Sequence, residues 1–150
     1  MELRRARPED EALVLRWRNE PSTRAASLST GEISPGQHHA WFTRKLADPD
    51  CVLFILEENG RPVGQLRLDR VGSDLAEVSI GLDLEARGRG LGREALRWAI
   101  PEAQRLLGVK CLKAQVKPNN VSSLAAFAAV GFRVVADSAD AVELRHTAAD

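Results

Sequence analysis

Apolar positions between Cys51 and Leu84 fall two apart or in short unbroken runs, whereas from Leu91 to Leu106 they fall three and four apart. The first period is that of strands and the second that of a helix. "CVLFILEE" and "RPVGQLRLDR" predict two strands joined by a tight turn at Asn59-Gly60, since both residues tolerate positive φ. "LAEVSIGLDL", residues 75 to 84, predicts a third strand, with Val78, Ile80 and Leu82 alternating against Glu77, Ser79 and Gly81. The helix from about Leu91 carries Leu91, Ala95, Trp98, Ala99, Ala103 and Leu106 on one face, and Pro101 predicts a kink or break within it.

The flanking segments are read in the same way. Residues 3 to 6 predict a short first strand. A helix from Pro8 to about Asn19 follows, burying Leu13 and Trp17, with Glu9, Asp10 and Glu11 near its positive end. "EPSTRAASLSTGEISPG" is rich in Ser, Thr, Gly and Pro and predicts a loop. A second helix starts near Pro35 and ends by Asp48, before Pro49. "KCLKAQVKP" predicts a strand alternating at Cys111 or Leu112, Ala114 and Val116. Asn120 is placed to cap an apolar helix that Gly131 stops, and "FRVVAD" and "AVELRH" predict two closing strands. The order β-α-α-β-β-β-α-β-α-β-β describes a mixed α/β or α+β sheet with helices on its faces.

The 150 residues fit one domain spanning 1–150, with 44% hydrophobic and 28% charged residues. Lys+Arg and Asp+Glu both number 21, so nucleic acid is not the default partner. The first ten residues, "MELRRARPED", lack the apolar core of a signal peptide. No apolar run approaches the ~20 residues that span a bilayer, so no membrane partner is expected. Cys51 and Cys111 have no metal-site spacing and read as buried free thiols; the expected setting is cytoplasmic, with no metal. The chain contains no tyrosine.

Within this neutral chain, "LEARGRGLGREAL" places three glycines and three arginines in the seven residues Arg87 to Arg93. The segment follows a strand and opens a helix. Helix-start N–H groups are unpaired and carry the positive end of the dipole, so Gly88, Gly90 and Gly92 let an anion reach bare backbone. Arg87, Arg89 and Arg93 add candidate charge-assisted bonds. The GxxxxGK[ST] phosphate loop is absent, and GxGxxG fails because Arg93 stands at its last glycine. The remaining pattern, Arg87-x-x-Gly90-x-Gly92 after a β-meander, resembles the coenzyme A pyrophosphate loop of the GNAT N-acetyltransferase superfamily. Asn120-x-x-Ser123, Phe127 and Gly131-Phe132 resemble a later motif of the same superfamily.

The resemblance implies a mostly antiparallel central sheet flanked by helices, and acetyl-CoA as cosubstrate. Arg87, Gly88, Arg89, Gly90, Leu91, Gly92 and Arg93 would hold its pyrophosphate, with Asn120, Ser123 and Phe127 flanking it. The pantetheine arm would lie where strands 75 to 84 and 110 to 116 splay apart. The resemblance also allows a homodimer through the closing strands.

Acetyl transfer requires a neutral amine, so an ammonium must lose a proton. Glu77 is the candidate base, acting directly or through a water, because it lies on the strand facing the thioester. Ser79 shares its face and can help place that water. A backbone N–H near Ser79 to Gly81 can stabilise the carbonyl oxygen. Many family members carry a tyrosine four residues before the Gly-Phe pair; here Phe127 stands there, so no phenol protonates the departing sulfur.

The acceptor side falls to the N-terminal third. "LRWRNEPSTRAAS" and "SPGQHHAWF" resemble a subgroup that acetylates nucleotide-linked amino sugars, as in pseudaminic acid-type pathways, through Arg16, Trp17, Arg18, Asn19, Arg24, His38 and Trp41. Arginines suit a diphosphate and an indole suits stacking on base or sugar. His38 falls three residues before Trp41, as in that subgroup, and His39 does not. The same signature is shared more loosely by enzymes that acetylate protein N-termini, including ribosomal proteins. A coenzyme-A-binding module without catalysis is the third alternative, motivated by the missing tyrosine.

Overall fold

A computed structural model describes residues 1–148. Strands β1 (Glu2–Arg5), β2 (Cys51–Glu58), β3 (Arg61–Gly72), β4 (Leu75–Leu82), β5 (Cys111–Val116), β6 (Arg133–Asp137) and β7 (Val142–Thr147) form one sheet in the order β1-β2-β3-β4-β5-β7-β6. Helices are α1 (Glu11–Asn19), α2 (Pro21–Ala26), α3 (Pro35–Ala47), α4 (Leu91–Leu107) and α5 (Val121–Ala129). Every neighbouring pair is antiparallel except β4 and β5. No helix among the described residues is long and apolar enough to cross a membrane.

The meander β2–β3–β4 follows the alternation in the sequence. Asn59 (φ 54°) and Gly60 (φ 77°) make the first turn, as their tolerance of positive φ predicts. On one face Phe54, Leu66, Leu68, Ala76 and Val78 join the α4 residues Ala95, Leu96, Ala99 and Ala103 in the larger core. On the other, Leu53 and Ile55 pack with Val14, Trp17 and Phe42 from α1 and α3. Because β2 is covered on both faces, its sequence is an unbroken apolar run from Cys51 to Leu56, all buried. Burial pushes the Cys51 thiol up to about 12; Cys111 is only partly buried, since its side chain falls opposite the inward Leu112.

The structure corrects three expectations. Residues 21–26 form helix α2 inside the segment read as loop, because Pro21 presets the first turn and the Glu20 carboxylate accepts hydrogen bonds from the N–H groups of Ser22 and Thr23. Pro101 does not break α4, which runs unbroken to Leu107; both Pro101 and Arg97, whose carbonyl loses its partner, lie on the exposed face where water can satisfy it. In α1 Val14 joins Trp17 as a buried position, and Leu13 is only half-buried, packed against the edge of the same cluster.

Candidate active site

β4 and β5 pair over only three positions, Leu75↔Cys111, Ala76↔Leu112 and Glu77↔Lys113, and then diverge. Asp83 N–H donates to Val63 O at 2.8 Å, toward β3. By strand alternation the peptide groups of Ile80 and Leu82 face the gap on the β5 side. The gap continues into a cleft of about 550 Å³. Ile80, Gly81 and Leu82 line one wall, Gly88, Gly90, Gly92 and Arg93 one end, and Asn120, Ser123 and Phe127 the opposite wall. Behind it Gly64 is required: a Cβ there would sit 2.6 Å from Gly81 O.

Gly90 is left-handed (φ 78°) immediately before α4, and no side chain caps that 17-residue helix. The first-turn N–H groups at Leu91, Gly92 and Arg93 therefore face the cleft end with the positive end of the dipole behind them. Bare donors, glycine backbone and a cationic rim fit an anionic pyrophosphate. Of the three arginines, Arg87 and Arg93 line the cleft and Arg89 does not. Arg89 pairs with Glu58 at 2.8 Å. Arg87 donates to Ser22 Oγ and Thr23 Oγ1 at 2.7 and 2.9 Å. Asn120 caps α5 by accepting from Ser123 N–H. Phe127 is buried, edge-on to Phe132 at 5.0 Å between ring centres. The sequence reading missed Ser22, Thr23 and Ala26 of α2 and Ser27 just after it, which also line the cleft.

Glu77 and Ser79 share a face of β4, and in register beside them on β3 stand Asp69 and Arg67. The Arg67 guanidinium lies 5.0 Å from the centre of the Trp41 ring, with Nη2 3.5 Å from Ser79 Oγ. Asp69 accepts from Arg67 Nε at 2.6 Å and from Lys45 Nζ at 2.8 Å. Burial alone would raise the Asp69 carboxyl; Arg67 and Lys45 more than offset it and hold it below its ordinary range. Both Asp69 oxygens are thus engaged. Glu77 has no hydrogen-bond or ion-pair partner among the described residues and stands where β4 and β5 part. Nothing local in the sequence singled out Arg67, Lys45 or Asp69.

The other acceptor-side residues divide. Asn19 donates to Ile33 O at 2.8 Å and accepts from Ile33 N at 2.9 Å. Arg18 and Arg24 donate to the carbonyls of Ser29 and Thr30. These three fasten residues 27–34. Burial, and then the charge of Arg24, push the Arg18 guanidinium below its ordinary value. Trp17 is buried, and its indole N–H donates to Asp83 at 2.9 Å, the main cause holding that carboxyl low. Arg16 is exposed on the same helix. His38 is 2% exposed, with Trp41 and Phe42 each 5.6 Å away between ring centres. Neither ring nitrogen has a partner among the described residues, and burial pushes its pKa below the ordinary value. His39 is exposed and meets Glu11 at 2.8 Å.

Residues 1–133 match the model of the acetyltransferase (GNAT) domain. An uncharacterized protein of Methanocaldococcus jannaschii, MJ1062, is 22% identical over 134 residues. The match covers 87% of this chain but 28% of that protein, so the chain spans little more than a quarter of its curated relative. The fold is shared with a spermidine N-acetyltransferase from Vibrio cholerae, solved with CoA and spermine (TM-score 0.85, 15% identity, covering 96% of this chain and 92% of that one). It is also shared with a ribosomal-protein-alanine N-acetyltransferase from Brucella melitensis (TM-score 0.81, 21% identity, covering 98% and 99%). With the family model matched over most of the chain, and the uncapped helix end and the strand splay both in place, the chain belongs to the acetyltransferase (GNAT) family.

Proposed function

We propose that the acceptor is the primary amine of a nucleotide-linked amino sugar. The observation that carries this reading is the Arg67 guanidinium seated on the Trp41 ring beside Ser79, with Lys45 sharing its Asp69 counter-ion. The Arg67 guanidinium offers forked donors to a diphosphate, and the indole offers a stacking surface. Arg16 adds a further exposed cation on α1.

Acetyl-CoA supplies the acetyl group as a thioester. Gly88, Gly90, Leu91, Gly92 and Arg93 hold its pyrophosphate end, with Asn120, Ser123 and Phe127 on the facing wall. Glu77 takes a proton from the acceptor ammonium, directly or through a water that Ser79 helps to place. The Ile80 N–H, pointing into the gap, donates to the carbonyl oxygen as charge builds on it. The new N–C bond forms as the C–S bond breaks. With no tyrosine in the chain, the sulfur takes its proton from solvent. A cytoplasmic setting belongs to the same reading, since Cys51 and Cys111 are unpaired thiols.

The test is release of free CoA thiol with acetyl-CoA and a panel of amines: UDP- and dTDP-linked amino sugars, N-terminal peptides, polyamines and aminoglycosides. The highest kcat/KM is expected with a nucleotide-linked amino sugar. A higher value with an N-terminal peptide transfers the reading to protein acetylation. No release with any amine, despite CoA binding, leaves only a binding module.

A further inference from the structure

Arg87 belongs by position to the donor loop, yet its guanidinium is engaged by a different element. Nη1 donates to Ser22 Oγ at 2.7 Å, Nη2 to Thr23 Oγ1 at 2.9 Å, and Nη2 also meets Glu20 Oε2 at 3.4 Å. Nε donates to Leu82 O at 3.3 Å. These α2-side partners form the start of α2. Glu20 is its cap and also accepts from the Ser22 hydroxyl; those Ser22 bonds, then the Thr23 bonds, hold the carboxyl at about 2, so it stays ionised.

α2 has no buried residue, so no apolar core holds it in place. Its fastenings are polar and lie at both ends. Arg87 grips the first turn, and Lys117 Nζ donates to Ala25 O at 2.8 Å near the last. Between them Ser22, Thr23, Ala26 and Ser27 face the cleft. α2 therefore runs across the cleft from the donor loop to the end of β5. The preceding helix is tied to the same loop through Trp17 and Asp83.

We propose, on the assignment of this cleft to acetyl-CoA, that Arg87 is a positioning residue: it clasps α2 across the cleft as a wall of the donor site and does not lend its charge to the pyrophosphate. A guanidinium can reach two hydroxyls, a carboxylate and a carbonyl together because its five donors form a rigid fork. A lysine ammonium in its place is a mobile point charge and cannot span them.

The experiment uses the intact chain with CoA as probe. It compares wild type, Arg87→Ala, Arg87→Lys, the pair Ser22→Ala with Thr23→Val, and the triple variant that adds Arg87→Ala to the pair. Amide exchange of residues 20–27 is read in the free protein, and CoA release and the salt dependence of CoA affinity are read in the complex. Arg87→Ala is expected to speed α2 exchange about tenfold without ligand and CoA release about tenfold, roughly what one charge-assisted hydrogen bond provides. Arg87→Lys is expected not to rescue either effect. The Ser22/Thr23 pair should reproduce them, the triple variant should add nothing, and the salt slope should not change. Unchanged α2 exchange in free Arg87→Ala overturns the clasp. So does rescue by lysine together with a shallower salt slope in Arg87→Ala, the signature of a direct phosphate contact. If wild type binds no CoA, the cleft assignment fails, and exchange in the free protein still decides on the clasp.

Discussion

In the proposed reading, the donor end of the cleft and the acceptor face of β4 recognise their ligands by different means. At the donor end the recognition groups are backbone: the N–H groups of the uncapped α4 start, exposed by left-handed Gly88 and Gly90. They come from consecutive residues. On the acceptor face they are side chains: Trp41 and Lys45 from α3, Arg67 and Asp69 from β3, and Glu77 and Ser79 from β4. A backbone cradle suits a cosubstrate that stays the same, while side chains borne on separate elements can change with the acceptor. The contrast predicts that substitutions at the donor end cost binding of CoA, and those on the acceptor face cost rate or acceptor affinity alone.

Gly90→Glu tests the donor half and should have the largest effect. A side chain at φ 78° costs about 1–2 kcal/mol. The new carboxylate also opposes the pyrophosphate, so CoA affinity should fall at least about a hundredfold by calorimetry. Gly90→Ala, with the strain and without the charge, should lose about tenfold. Next is Glu77→Gln, expected to lower kcat by about 10²–10³ while leaving CoA affinity within about twofold. Full activity of that variant from about pH 6 to about pH 9 removes Glu77 as the base. Arg67→Ala should raise acceptor KM about tenfold, and Arg67→Lys should recover only part of it, because lysine neither forks nor stacks like arginine. An unchanged KM in Arg67→Ala moves the acceptor elsewhere.

His38 gives the smallest effect, and it falls on stability. Its folded pKa lies below the ordinary 6.5 because burial disfavours the charged ring. The unfolded chain binds the proton first as pH falls, so stability is complete above about pH 6.5 and declines toward the folded value. His38→Leu should flatten the Tm dependence between about pH 8 and about pH 5, without loss at the upper end, since it removes two unpartnered ring nitrogens. An unchanged slope assigns the pH dependence to other groups.

The same contrast explains what was legible in the sequence. Asn59-Gly60 and the alternation of β3 and β4 marked the meander because turn chemistry and side-chain period are local. The glycine turn that opens α4 was readable for the same reason. Helix α2 was not: it has six residues, no buried face, and a cap supplied by Glu20, an acid outside the usual Ser/Thr/Asp/Asn signals. The pair Lys45–Asp69 joins residues 24 apart, and Arg87 meets Ser22 across 65. Such partners are made by the order of strands in the sheet, which residue periodicity does not encode. Asn19 shows the converse, a residue chosen from a resemblance whose amide closes on the backbone of Ile33.

The most direct test is a titration of the isotopically labelled chain with CoA, following each amide by NMR. The account predicts the largest shifts at residues 88–93, at Ile80 to Leu82 and at 120–127, with β1 and the start of α3 unmoved. Shifts confined to the acceptor face, or absent from residues 88–93, would contradict it.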